Sequence, residues 1–279
     1  MNKKILITYG DDPYEETKLR LVNQARQTGV FDEVIAYSPR DVSYELLHSA
    51  VWKERRGGGL WSWKPDLILH TMNSSNDGDF IVYCDAGCSV YKAKEWEKFW
   101  RLLKNHDIIA QRIFQRTEHW TRKEIIDEFS NINHNWLKCY QYQATPIFKN
   151  SAFSKMFVQE WRSLMIEKPY LVKDVTDEER EKQYTGFIEN RHDQAVFSAL
   201  IYKYCSVSTY KNLIYTQWEH MEDYDPFCKQ AIRATRLRNG KEENRKMTYL
   251  GTIKRIIKHG ILKPLFYAPI QIWYNSIKK

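Results

Sequence analysis

The sequence predicts a single α/β domain carrying a separate basic extension. Three observations lead there. The chain opens with a β-α-β unit about 35 residues long. Strand and helix patterns then alternate through most of the remaining chain. At the centre, Phe80-Ile81-Val82-Tyr83 is a short apolar run entered from Asn76-Asp77-Gly78, which reads as a buried strand leaving a turn and ending on Asp85.

Taken in order, Ile5-Leu6-Ile7-Thr8-Tyr9 is the first strand, and Gly10 lets the chain turn out of it. Asp12-Pro13-Tyr14-Glu15 offers an N-cap, a proline at the first helical position and an acid at N3. The next helix sets Leu19, Val22 and Ala25 at helical spacing and stops near Gly29. Val34-Ile35-Ala36-Tyr37 is a second strand, and residues 42–55 look helical. Gly57-Gly58-Gly59 break the chain before Leu60-Trp61-Ser62-Trp63-Lys64-Pro65, where Pro65 opens a helix from Asp66 to Met72. Trp96, Phe99, Trp100 and Leu103 form an amphipathic stripe suited to the core. Ile108-Ile109-Ala110 is another strand, with a polar, aromatic loop from Gln111 to Thr121. Tyr140 to Phe148 is read as one strand and Phe153 to Leu164 as a helix. Residues 173–185 are a charged surface excursion, and Arg191-His192-Asp193-Gln194 opens a helix ending near Tyr204.

Composition narrows the class. Of 279 residues 43% are hydrophobic, and ten are Trp, so a packed core is assured and aromatic rings are in supply for stacking on sugars or bases. Five scattered cysteines give neither a disulfide framework nor a zinc pattern, and a reduced, cytoplasmic setting is expected. Ile5-Leu6-Ile7 is too short for a signal peptide or a membrane span. The net charge of +8 is unevenly shared: residues 229–279 hold 13 Lys and Arg against 2 acids, and the remainder 30 against 33. This sets a division into a body, 1–228, and a basic extension, 229–279.

Two motifs are missing. There is no GxxxxGK[ST], which speaks against a P-loop NTPase, and Tyr9-Gly10-Asp11-Asp12-Pro13 lacks the later glycines of a dinucleotide fold. In open α/β sheets ligands gather at the carboxyl ends of strands, which puts Asp85 where a ligand is held and lets Gly87 bring backbone close to a bulky anion. An acid there also serves as a turn-former.

Lys64-Pro65 at a helix start, Asp85-Ala86-Gly87 at the end of the central strand and His192-Asp193-Gln194 opening a later helix resemble, in that order, a GT-A-fold glycosyltransferase. The resemblance covers residues 5–220. It is nearest to the retaining, glycogenin-like and lipopolysaccharide-galactosyltransferase group, to enzymes with an HDQ motif, and to bacterial capsule and O-antigen enzymes with a WxWKP segment. It implies a GT-A-like (Rossmann-like) mixed sheet flanked by helices, and transfer of a sugar from a nucleotide-sugar donor, a UDP-sugar, to a glycan or lipid-linked glycan acceptor in surface polysaccharide synthesis. Retention of anomeric configuration follows from the HDQ likeness.

The resemblance also implies roles. Thr8, Tyr9 and Gly10 would hold nucleobase and ribose, Lys64 the phosphates or donor sugar, and Asp85, Ala86 and Gly87 the diphosphate. Gln143 and Thr145 would lie against the donor sugar. Asp193, ionised at a helix N-terminus, would steady positive charge on the sugar, with Gln194 and His192 beside it. Such enzymes hold Mn²⁺ or Mg²⁺ on a DxD motif and a later His, here Asp85 and His220; Gly87 stands where the second acid belongs, which departs from the pattern. Each residue also has an ordinary structural reading: Lys64 as a solvated lysine, Asp193 as a helix cap, His220 as a surface histidine. Gly87 further admits a non-catalytic nucleotide-sugar or glycan-binding protein that kept the fold. Glu118, His119 and Trp120 fall in the polar loop where an acceptor would dock.

In the basic extension Leu250, Ile253, Ile256, Ile257 and Ile261 form one apolar helical face, with Lys254, Arg255 and Lys258 outside it. A basic amphipathic segment near Trp and Tyr suits the anionic inner face of a cell membrane, or else packing against the body. No nucleic-acid motif accompanies it, and no nucleic-acid partner is expected.

Overall fold

The computed structural model describes residues 2–132, 134–218 and 230–235. His220 and the basic extension from Arg236 onward lie outside the described residues.

Strand β1 (Lys4–Tyr9), helix α1 (Glu15–Thr28) and strand β2 (Glu33–Tyr37) form the opening unit, with β1 and β2 parallel. Gly29 closes α1 in the left-handed conformation, a conformation open to glycine because it has no Cβ. Helix α2 (Trp63–Ser74) leads to β3 (Phe80–Tyr83), which pairs in parallel with the other side of β1. A two-residue strand, β4 (Ser89–Val90), precedes α3 (Glu95–Leu102), and β5 (Ile108–Arg116) comes next. Then come β6 (Tyr140–Tyr142), β7 (Ile147–Lys149), α4 (Ala152–Glu167), α5 (His192–Cys205), β8 (Ile214–Trp218) and β9 (Ile232–Arg233).

Among the described residues seven strands make one mixed sheet in the order β2-β1-β3-β7-β5-β6, with β8 also paired to β5. β7 is antiparallel to both β3 and β5, and β8 is parallel to β5. Helices cover both faces, giving two apolar layers. One packs α2, α4 and α5 around Phe157, Trp161 and Phe197; the other packs α1 and α3 around Leu21, Trp96 and Phe99. The fold is thus the mixed, helix-flanked α/β sheet that the sequence predicts.

Several elements differ from expectation. Residues 42–55 hold only short turns, Tyr44–Leu47 and Val51–Lys53. Leu19 is 49% exposed, and the buried stripe of α1 runs through Lys18, Leu21, Val22 and Ala25 instead. β5 continues six residues beyond Ala110 to Arg116, and a helical turn, Thr117–Trp120, takes the place of an open loop. The segment read as one strand from Tyr140 to Phe148 is split. Pro146 has no N–H to give to a ladder, and the pairing of β5 with β6 shifts register.

The break faces the ends of the central strands. Tyr83 N donates to Pro146 O at 3.2 Å, and Cys84 N to Ile7 O at 3.0 Å. Thr145, next to Pro146, therefore sits beside the carboxyl end of β3, while Gln143 N donates to Gln111 O of β5 at 2.8 Å. Residues 230–235 pack on the body through β9, which pairs with β4, and Ala231 is fully buried.

Candidate active site

α2 brings a lysine to the end of β3. Pro65 sits in its first turn, and the helix starts at Trp63, so Lys64 lies inside the first turn rather than before it. Only 4% of its side chain is exposed. Lys64 Nζ lies 2.7 Å from Asp193 Oδ2 and 3.4 Å from Asp85 Oδ1. The next acid, Asp66, anchors the turn from behind: its Oδ1 accepts from Arg162 Nε of α4 at 2.6 Å and from Ser43 Oγ at 2.7 Å.

The two carboxylates differ in setting. Asp193, in the first turn of α5, is buried; the Asp85 side chain is 43% exposed. Tyr83 donates its hydroxyl to Asp85 Oδ1 at 2.7 Å, and the Lys64 ammonium lies 5.1 Å from the centre of the Tyr83 ring. Burial pushes the Asp193 carboxyl above the ordinary aspartate value, against the pull of Lys64. The helix start that favours its anion is thus opposed by desolvation. Burial also works against the Lys64 ammonium, but Asp193 and Asp85 outweigh it and raise the lysine above its usual value. Burial, with Asp85 adding to it, raises the Tyr83 phenol well above its ordinary value.

The loop after Asp85 is clamped. Arg20 Nη2, from α1, donates to Ala86 O at 3.0 Å and Cys88 O at 2.6 Å; Thr235 Oγ1 donates to Gly87 O at 2.8 Å. At the end of β1, Tyr9 stacks on Trp63 with centroids 4.0 Å apart. Gly10 O accepts from Lys18 Nζ at 3.1 Å, and Thr8 is fully buried, its hydroxyl without a hydrogen-bond partner among the described residues.

Ahead of α2, Gly57, Gly58, Gly59, Leu60 and Trp61 all have positive φ, between 54° and 90°. Hydrogen bonds from Leu60 N to Arg56 O and from Trp61 N to Gly57 O close a left-handed turn. For Leu60 and Trp61 that conformation costs roughly 1–2 kcal/mol each. A Cβ on Gly57 would lie 2.5 Å from the Trp61 ring, so glycine is required there. The turn holds Trp61 against His192, ring centroids 4.9 Å apart, and His192 itself has φ 48°. Asp174 Oδ1 ties the two loops together, accepting from Arg56 Nη1 at 2.5 Å and pairing with His192 Nε2 at 3.0 Å.

A third wall is polar. Gln194 Nε2 donates to Gln141 Oε1 at 2.6 Å and lies 2.9 Å from the Gln115 amide, whose oxygen accepts from the Arg191 guanidinium once the amide is turned over. Gln141 Nε2 donates in turn to Trp120 O, and the Arg191 guanidinium lies 4.6 Å from the centre of the Trp120 ring. The Thr117–Trp120 turn is thus joined to the start of α5.

The structure therefore brings Lys64, Asp85 and Asp193 into direct contact, with Ala86, Gly87 and Gln194 close by along the chain. His192 points away toward Asp174. Tyr83, Trp63, Arg20, Gln141 and Asp174 are not found by sequence reasoning. Trp63 stands inside the motif, but nothing in the sequence pairs it with Tyr9, and Arg20, Gln141 and Asp174 carry no local signal.

Among the described residues no three His, Cys, Asp or Glu side chains gather into a metal set. Asp85 supplies one carboxylate, with Oδ1 engaged by Tyr83 and Lys64, and Gly87 supplies none. A single half-exposed carboxylate suits Mg²⁺ or Mn²⁺ only as one ligand among waters and substrate phosphates.

No family model matches the chain, and no curated protein matches it in sequence. Solved structures similar in shape include the bifunctional glycosyltransferase WbbM, at 13% identity and TM-score 0.44; the match covers 78% of this chain and 39% of that one, so this chain spans well under half of WbbM. Mouse xyloside xylosyltransferase 1 is similar at 11% identity and TM-score 0.41, over 78% of this chain and 85% of that one. The galactosyltransferase LgtC, in complex with donor and acceptor sugar analogues, is similar at 12% identity and TM-score 0.35, over 80% and 90% of the two chains.

Proposed function

We propose that this protein is a glycosyltransferase that moves a sugar from a nucleotide-sugar donor, a UDP-sugar, to a glycan or lipid-linked glycan acceptor in surface polysaccharide synthesis, with retention of configuration. The observation that carries the proposal is the contact of Asp85 and Asp193, from distant parts of the chain, with one buried ammonium at the carboxyl end of the sheet. Titratable groups drawn from distant parts of the chain onto one buried ammonium, at a strand end, are the pattern expected of a reaction centre.

Each group has a task. Asp193, held rigidly by Lys64, faces positive charge that develops on the sugar as the glycosidic bond breaks. Lys64 keeps that carboxylate oriented and contributes a fixed positive charge toward the donor phosphates. The Gln194 amide, fixed by Gln141 and Gln115, orients the donor sugar, as do Gln143 and Thr145 at the strand break. Tyr9, with Thr8 and Gly10, supports the nucleoside. Asp85 would hold Mn²⁺ or Mg²⁺ through one oxygen, with His220 as a further ligand, and the ion when bound neutralises charge on the leaving diphosphate. Trp120 and its neighbours Glu118 and His119 suit the acceptor side, and the basic extension suits an anionic membrane surface at the cytoplasmic face.

The test is release of free sugar from a panel of UDP-sugars. Asp193→Asn is expected to lower turnover on the order of a hundredfold with the circular dichroism spectrum unchanged. Nucleotide-sugar binding without turnover in the wild type would instead favour the second reading, a non-catalytic binding protein, which Gly87 supports. Absence of binding to every nucleotide-sugar would remove both.

A further inference from the structure

Helix α3 buries Trp96 and Phe99, packs Trp100 and Leu102 partly against the same core, and turns the side that carries Glu97 and Arg101 outward. Lys94, Lys98 and Arg101 succeed one another at four- and three-residue steps along one face, with Lys92 before the helix and Lys104 after it. Four of these five are exposed; Lys98 is half-buried, donates to Gln217 Oε1 at 2.7 Å and lies over the Tyr215 ring. Among the described residues none of the five is in an ion pair. Only two acids share residues 92–104, Glu95 and Glu97, and Glu95 Oε2 accepts from the Ala231 amide instead. Lys94 and Lys98, four residues apart, oppose one another; Glu97, four residues before Arg101, is the one acid on this face, and among the described residues it is in no ion pair, so the face keeps a positive excess.

The row also has a neighbour. β9 pairs with β4, two residues before Lys92, and the chain runs on from Thr235 directly into the most basic part of the sequence. There basic residues alternate with a row of Leu and Ile, and Trp273 and Tyr274 lie beyond them. Cations joined to an apolar, aromatic-flanked segment match a lipid surface better than a nucleic acid, whose recognition needs base or groove contacts that this pattern does not offer.

We propose that the face formed by Lys92, Lys94, Lys98, Arg101 and Lys104 docks the protein body onto an anionic lipid surface. It adds a contact on the body to the membrane reading of the basic extension and does not depend on glycosyl transfer.

Sedimentation of the full chain with phosphatidylcholine vesicles, with and without phosphatidylglycerol, tests it. Each cation near such a surface contributes about fivefold to partitioning. Combined Lys92→Gln, Lys94→Gln, Arg101→Gln and Lys104→Gln substitution is expected to weaken binding to the anionic vesicles about six-hundredfold, with the thermal midpoint unchanged. Glu97→Lys, a single exposed change, is expected to strengthen it about fivefold or more. Replacing Lys254, Arg255 and Lys258 by Gln should leave the effect of the α3 substitutions in place, which separates the body from the extension. Unchanged partitioning of both α3 variants overturns the proposal, as does an equal loss on neutral vesicles. So does a loss confined to binding of duplex DNA. Hydrolysis of UDP-sugars in these variants reports on the transferase reading separately.

Discussion

Asp85 and Asp193 share one ammonium: Lys64 Nζ lies 3.4 Å from the first and 2.7 Å from the second, and the lysine is almost wholly buried. A buried cation between two acids is stable only while its partners are present. Removing Lys64 or Asp193 leaves its partner's charge in a poor solvent, and the consequences can be measured.

Lys64→Met should destabilise the fold by about 3–5 kcal/mol, because it strands the buried Asp193 carboxylate. The double variant Lys64→Met with Asp193→Asn removes both charges and should recover more than half of the loss. Urea unfolding of the four proteins in the cycle checks this; strict additivity of the two single changes would contradict the pairing.

Acid titration addresses His192. Burial, with Arg56 nearby, holds its imidazole below the ordinary value of 6.5, against the pull of Asp174. The unfolded chain therefore takes up this proton at a higher pH than the folded one. The stability from the neutral ring is complete above 6.5 and is lost as pH falls through the folded value. Thermal midpoints of wild type and His192→Asn, compared from neutral pH downward, should show a smaller fall in the variant.

Glycine substitutions separate space from backbone. Gly57→Ala places a Cβ 2.5 Å from the Trp61 ring at φ +60°, whereas Gly29→Ala, at φ +65°, meets nothing within 4 Å. The second should cost only the left-handed conformation, about 1–2 kcal/mol. The first adds displacement of Trp61 from His192 and should cost at least about 1 kcal/mol more. Denaturant midpoints of the two variants, which change one methyl group each, decide the matter.

Metal and nucleotide should bind together. With one described carboxylate to offer, the protein alone is expected to show little thermal shift with Mn²⁺, and a clear one when UDP is added with it. Asp85→Asn should remove the Mn²⁺-dependent part. A full shift with Mn²⁺ alone would show that residues beyond Asp85 complete a metal set without nucleotide.

Much of this protein is written locally in its sequence. Alternating apolar runs and turn residues place β1, β2, β3, α4 and α5, because burial of one face and the chemistry of turns act over a few residues. The three motifs likewise mark Lys64, Asp85 and Asp193 one at a time. Other features depend on partners far along the chain. The Tyr140–Phe148 run has strand composition throughout, yet it breaks where Pro146 meets the end of β3. Leu19 has helix spacing, yet it faces solvent because the sheet lies against Leu21 and Ala25. Lys64 is marked by its motif, with a solvated lysine as the other reading; its burial between Asp193 and Asp85 follows only from folding. Desolvation and Coulomb attraction depend on distance in space, and only the assembled sheet sets the distance between residues so far apart in sequence.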